Sequence, residues 1–163
     1  MIYTIAEIQE LILMNPAQWR PLVLTNGCFD IIHVGHVQYL QTAKKMGRSL
    51  IIGLNSDQSV QKIKPKKPGL PPRPIIPESQ RAEVLAALKP VDAVIIFHQT
   101  TADELILALK PDIYVKGGDY TMETLPETPT VKSYGGKIEL VKVEIESSTT
   151  GIINHIIQYA RDH

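Results

Sequence analysis

The chain has 163 residues, 44% of them hydrophobic and 21% charged, which is enough for one domain with a buried core. Seventeen basic and seventeen acidic residues cancel, excluding long-range attraction to nucleic acid or an anionic membrane and leaving any phosphate binding to a local site. A single cysteine excludes an internal disulfide framework, and neither a membrane-length apolar run nor a leader pattern is present, so a soluble, cytoplasmic protein is expected.

Thr4-Ile5-Ala6-Glu7 fits a capping box, with Ile5, Ile8, Leu11 and Ile12 as the apolar stripe of a helix in residues 1–20 that packs on the core. Strands are predicted over 21–25, 49–54, 92–97, 112–116 and 137–143. Helices are predicted over 34–46, 78–89, 101–109 and 149–161. In the helix from 34, Val37, Leu40 and Ala43 or Lys44 fall at helical spacing. This alternation predicts an α/β fold, a doubly wound parallel sheet covered on both faces with right-handed crossovers. Ligands in such folds bind beyond the carboxyl ends of the strands, and His33, Asn55, His98 and Gly117 all follow strand ends. His98 is read as a loop histidine.

Residues 62–77 interrupt the pattern with four lysines and six of the twelve prolines. Proline supplies no backbone donor, so this stretch is read as an extended surface loop within a single domain spanning 1–163.

The most informative segment is Thr25-Asn26-Gly27-Cys28-Phe29-Asp30, followed by His33-Val34-Gly35-His36. An apolar strand runs through a glycine turn into two histidines that open a helix. Free N–H groups and the positive end of the helix dipole favour an anion there, and His33 and His36, three residues apart, share a face from which both reach it. Two other readings of these histidines stand beside this one. One is a zinc site with Cys28 or Asp30, for which a single cysteine and no further ligand cluster are thin support. The other is a purely structural role.

These residues resemble the HxGH nucleotidyltransferase superfamily, most closely its heptose-1-phosphate adenylyltransferases. The supporting landmarks are TNGCFD at 25–30, HVGH at 33–36, GLNSD at 53–57, Arg73-Pro74 before Glu78-Ser79-Gln80-Arg81, VKGGDY at 115–120, Gly135-Gly136, and Ser148-Thr149-Thr150. They fall in family order across nearly the whole chain. The resemblance implies a Rossmann-like sheet of five strands and transfer of AMP from ATP to a sugar 1-phosphate, with pyrophosphate leaving. Magnesium would accompany the ATP, with no protein metal ligand named, and a homodimer is expected from the family.

By the same resemblance, His33 and His36 hold the α and β phosphates, and Lys64 matches a phosphate-binding lysine, although Pro65 stands where glycine is usual. Asn26, Gly27, Cys28, Phe29, Gly35, Arg81, Lys116, Gly117, Asp119, Ser148, Thr149 and Thr150 are the expected nucleotide contacts, with Asp119 near the ribose. Asp30, Asn55 and Asp57 are candidates for the acceptor side. For Asp30 a second reading stands, a carboxylate bracing its turn by accepting backbone N–H bonds.

Two rival functions share the motif. A cytidylyltransferase acting on glycerol phosphate would carry an Arg-Thr pair where Val143 and Glu144 stand, and usually threonine in place of Cys28. Glu146 in turn departs from a glycine frequent in the heptose family. A regulatory module that binds nucleotide without turnover is the other rival. The short chain and the lack of net positive charge speak against an aminoacyl-tRNA synthetase.

Overall fold

In the computed structural model, residues 1–142 and 148–162 are described. Thirteen elements follow one another: α1 (Ile5–Met14), α2 (Pro16–Trp19), β1 (Leu22–Gly27), α3 (Val34–Lys44), β2 (Ser49–Asn55), α4 (Asp57–Ile63), α5 (Glu78–Ala86), β3 (Ala93–Phe97), α6 (Asp103–Leu109), β4 (Ile113–Gly117), α7 (Thr128–Ser133), β5 (Lys137–Val141) and α8 (Thr149–Asp162). The strands form one sheet in the order β3-β2-β1-β4-β5, and every pairing is parallel. This is the expected doubly wound, Rossmann-like architecture. The strand order reverses direction between β1 and β4, so their carboxyl ends open a crevice there.

The strand residues divide between two apolar layers at a period of two, as a sheet covered on both faces requires. Leu22, Leu24, Ile51, Ala93, Ile95 and Tyr114 join Ile8, Ile12 and Trp19 from the N-terminal helices and Leu105, Ile106 and Leu109 from α6. Val23, Leu50, Ile52, Leu54, Val94 and Val115 join Tyr39, Leu40 and Ala43 from α3 and Ala82 and Leu85 from α5. The capping box of α1 is present. Thr4 Oγ1 accepts from the Glu7 N–H, and Glu7 Oε2 accepts from the Thr4 N–H at 2.7 Å.

Several predicted details change. The buried face of α3 is carried by Tyr39, Leu40 and Ala43, with Val37 only partly covered, because the Tyr39 hydroxyl finds partners inside: it donates to the Val115 carbonyl at 3.1 Å and pairs with Thr25 Oγ1 at 2.6 Å. The interrupting loop is shorter at its start. Lys62 and Ile63 belong to α4, which Ser56 caps by accepting from the Ser59 N–H. Residues 1–3 also run alongside the edge strand β3: Val94 N–H donates to the Met1 carbonyl and Tyr3 N–H to the Val94 carbonyl. Strand β5 ends at Val141. The last two positions of its predicted range, 142–143, are thus not strand or, like Glu144 and Glu146, lie outside the described residues.

Candidate active site

One cavity of about 970 Å³ lies at the carboxyl ends of the strands. Its floor comes from the turn between β1 and α3, where Asn26, Gly27, Cys28, Phe29, Asp30, His33, Gly35 and His36 all line it. Phe29 holds this turn in shape from a left-handed backbone conformation, φ 43°, which costs a residue with a side chain roughly 1–2 kcal/mol. Its buried ring fills the space over Gly27, where a Cβ would come within 3.0 Å, and lies 5.3 Å from the His36 ring.

The two histidines stand side by side, their ring centroids 3.9 Å apart and their planes 35° from parallel. His33 is the N-cap of α3 and makes no side-chain capping bond, leaving the donors of the first turn for an anion. Burial pulls the His36 imidazole down to about 4, with the neighbouring His33 ring contributing, and burial lowers His33 in the same direction. Both are therefore neutral at pH 7, so each can donate one hydrogen bond without bringing a cation into the site. The Nδ1 atoms of both rings are buried without a partner.

A second helix start faces the same space. Ser148, Thr149 and Thr150 line the cavity at the beginning of α8. Ser148 Oγ accepts from the Gly151 N–H at 3.0 Å, and Thr149 Oγ1 donates to the Ile31 carbonyl at 3.3 Å, which ties α8 to the β1–α3 turn.

Strand β4 supplies the third wall. Lys116 Nζ donates to Asn26 Oδ1 at 2.8 Å, and the Tyr114 hydroxyl donates to the same oxygen at 2.6 Å. Burial lowers Lys116, while the charges of Glu127 and Cys28 oppose that shift. Gly117 lies so close to Tyr39 that a Cβ would sit 2.9 Å from its ring, and Gly118 turns the chain at φ 106°. Asp119 follows, exposed on the cavity wall.

Local charge makes up for the neutral total. Lys64, Arg73, Lys116 and Lys142 line the cavity. Burial pushes the Cys28 thiol up, with the positive charges of Lys64, Arg81, Arg73 and Lys116 acting against it. Cations thus converge on the β1–α3 turn, where a polyphosphate would gain most from them.

Of the sequence-predicted residues, two are placed elsewhere. Arg81 is 1% exposed and does not line the cavity: its guanidinium donates to the Ile76 carbonyl, to the Cys28 carbonyl, and to Asp57 Oδ1 at 2.7 Å. The same ion pair occupies Asp57, which is therefore a structural partner of Arg81 and does not line the cavity. Asp30 reaches the cavity wall, but its carboxylate accepts from Arg73 Nε and from the Ile75 and Ile76 N–H groups, the bracing arrangement. Asn55 lines the cavity and donates to Ser59 Oγ at 2.9 Å. The structure adds wall residues that sequence reasoning missed, notably Arg73, Tyr120, Thr101 and Glu127. Arg73 had a signal in the Arg-Pro landmark. Glu127, in a turn without periodicity, had none. Among the described residues no group of three or more His, Cys, Asp or Glu side chains is gathered as a metal site.

The chain is similar to several known proteins. The D-beta-D-heptose 1-phosphate adenylyltransferase of Bordetella bronchiseptica is 48% identical over 139 residues, 85% of this chain and 83% of that protein. The bifunctional protein HldE of Syntrophotalea carbinolica is 50% identical over 85% of this chain, and that of Trichlorobacter lovleyi 46% identical over 95%; this chain spans only 27% and 30% of their respective lengths. Among solved structures, the lipopolysaccharide core biosynthesis protein of Thermoplasma volcanium superposes with a TM-score of 0.61 at 28% identity, covering 77% of this chain and 97% of that one. Paired histidines at a helix start, a glycine turn on β4 and hydroxyls opening α8 all lie within residues 24–161, the span matched by the cytidylyltransferase-like family model, and the chain belongs to that family.

Proposed function

We propose that this domain, residues 1–163, transfers AMP from ATP to heptose 1-phosphate, forming ADP-heptose and pyrophosphate. The observation that carries the reading is the His33–His36 pair, neutral and partnerless at Nδ1, at the uncapped start of α3 on a cavity ringed by cations. The name of the Bordetella relative supports the choice of nucleotide and acceptor.

In this reading an acceptor phosphate oxygen attacks the α-phosphorus of ATP as the bond from that phosphorus to the β-bridging oxygen breaks. Electrons and charge leave with pyrophosphate, and no covalent enzyme intermediate forms. Such transfer depends on positioning and on stabilising charge. His33 and His36 donate to the α and β phosphates, Lys64 neutralises the departing charge, and the start of α8 holds the outer phosphates. Asn26, Gly27, Cys28, Phe29, Gly35, Lys116, Gly117 and Asp119 enclose the nucleotide, and Asn55 faces the acceptor. Magnesium fits as a companion of the triphosphate, held by phosphates and water, since the Asp30 carboxylate is already filled by three donors. It would supply positive charge that offsets the charge of the leaving pyrophosphate.

The reaction draws on cytoplasmic ATP, and among the described residues no helix is long and apolar enough to cross a membrane. A homodimer belongs to the reading through the family resemblance, and light scattering measures it. A kinase acting on the anomeric hydroxyl must supply the sugar 1-phosphate.

The test is pyrophosphate release with magnesium, pairing ATP or CTP with heptose 1-phosphate or glycerol 3-phosphate. Release with ATP and the heptose is expected. CTP-dependent release would move the chain to the cytidylyltransferases, and ATP binding with no release from any pairing would overturn the transferase reading.

A further inference from the structure

Among the described residues, four carry a buried side-chain polar atom that meets no hydrogen-bond partner: His33, His36, Glu127 and Thr128. Three of the four line the cavity at the carboxyl ends of the strands. Buried polar groups are almost always satisfied, so an orphan on a cavity wall marks where a ligand completes the bonding. The histidines account for phosphate. Glu127 does not, because a carboxylate repels phosphate and needs donors instead.

Glu127 is 3% exposed. Its Oε1 accepts only a long bond, 3.4 Å, from the Ala102 N–H, and its Oε2 accepts none. That bond fastens it to the start of α6, just after β3, although Glu127 itself follows β4 in the chain. The sheet order puts β3 at one edge and β5, which leads to α8, at the other. Glu127 therefore sits on the cavity wall between the start of α6 and β4, whose Lys116 feels its charge. Asn55, ending β2, and Thr101, following β3, line the same cavity. Thr101 spends its proton on Asp103 and offers only lone pairs to a ligand.

We infer that Glu127, flanked by Asn55 and Thr101, forms a subsite that accepts hydrogen bonds from the hydroxyl groups of the acceptor, selecting a polyhydroxylated sugar over a shorter alcohol phosphate. A carboxylate has two oxygens and accepts a pair of neighbouring hydroxyls at once. Such a site rejects an acceptor lacking those hydroxyls, because the buried carboxylate then stays unpaired. This inference rests on the adenylyltransferase reading above.

The test compares wild type, Glu127→Gln and Glu127→Ala with ATP and heptose 1-phosphate, and measures ATP binding separately by calorimetry. Loss of hydrogen bonds to a charged group predicts a rise in KM for the sugar phosphate of about 10- to 100-fold in Glu127→Ala. It also predicts a smaller rise in Glu127→Gln, little change in kcat, and ATP affinity within about twofold. Glycerol 3-phosphate, lacking the distal hydroxyls, should be a poor acceptor for all three proteins. If wild type turns over no sugar phosphate, the transferase reading falls and takes this subsite with it. If wild type turns over and Glu127→Ala keeps its sugar KM, or loses ATP affinity instead, the subsite alone is overturned. Should Glu127→Ala fail to fold, Glu127→Gln carries the same comparison.

Discussion

Asp30 holds Arg73. The Arg73 Nε donates to Asp30 Oδ2, and the same carboxylate receives the N–H groups of Ile75 at 2.8 Å and Ile76 at 2.9 Å, so the proline-rich loop is latched to the turn that carries His33. The Asp30 side chain has no exposure. Replacing it with alanine leaves three donors and a nearly buried cation without an acceptor, a loss of about 3–5 kcal/mol for broken buried pairs. The urea midpoint should fall accordingly, and the KM for ATP should rise as Lys64 and Arg73 lose their place. An Asp30→Ala protein with unchanged stability would contradict this latch.

Arg81 has a different role from the one its motif position suggests. Its three donor contacts are all to the protein, and it lies wholly inside. Arg81→Lys should lose stability by about 3 kcal/mol or more, because one ammonium cannot satisfy three directions and Asp57 loses its fork-shaped partner. A direct triphosphate ligand would behave in the opposite way, with stability kept and ATP affinity lost. Urea unfolding alongside ATP titration separates the two outcomes.

His36→Ala should lower kcat by about 10²- to 10³-fold, the usual result of removing one donor aimed at developing charge. Far-ultraviolet circular dichroism should be unchanged. Removing a buried, partnerless Nδ1 exposes no new orphan, so the melting temperature should hold or rise slightly.

The same residue gives stability a pH dependence. The folded His36 titrates at about 4, below its ordinary value of 6.5, and His33 is lowered too. Between those values the unfolded chain binds more protons than the folded one, so the free energy of unfolding rises with pH through this window. The contribution is complete above about pH 6.5 and is lost as pH falls toward 4. Urea midpoints measured across that range should fall on acidification, and the fall should be shallower in His36→Ala. A steeper fall in the variant would contradict the assignment.

Much of this molecule can be read from its residues, and the exceptions share a cause. The five strands announce themselves through apolar runs, and the long helices through spacing. The short helices α2, α4 and α7 were not anticipated, since four to seven residues hold too little periodicity and depend on caps such as Ser56 or Asn15. At the site, the β1–α3 turn and the start of α8 were legible because each is contiguous in sequence. Arg81 and Asp57 were misplaced for the opposite reason: their ion pair spans 24 positions, and nothing local says that either is buried. Glu127 joins the wall through a bond to Ala102, a contact made only by folding.

The tether from Thr149 to the Ile31 carbonyl joins residues 118 positions apart. The part of the cavity that comes first in chain order is therefore finished by the part that comes last. A nascent chain that has folded its first strands and α3 possesses both histidines but not the second helix start opposite them. The cavity is thus closed only when α8 docks, and proteolytic trimming of that one helix would open it without touching a single residue of the β1–α3 turn.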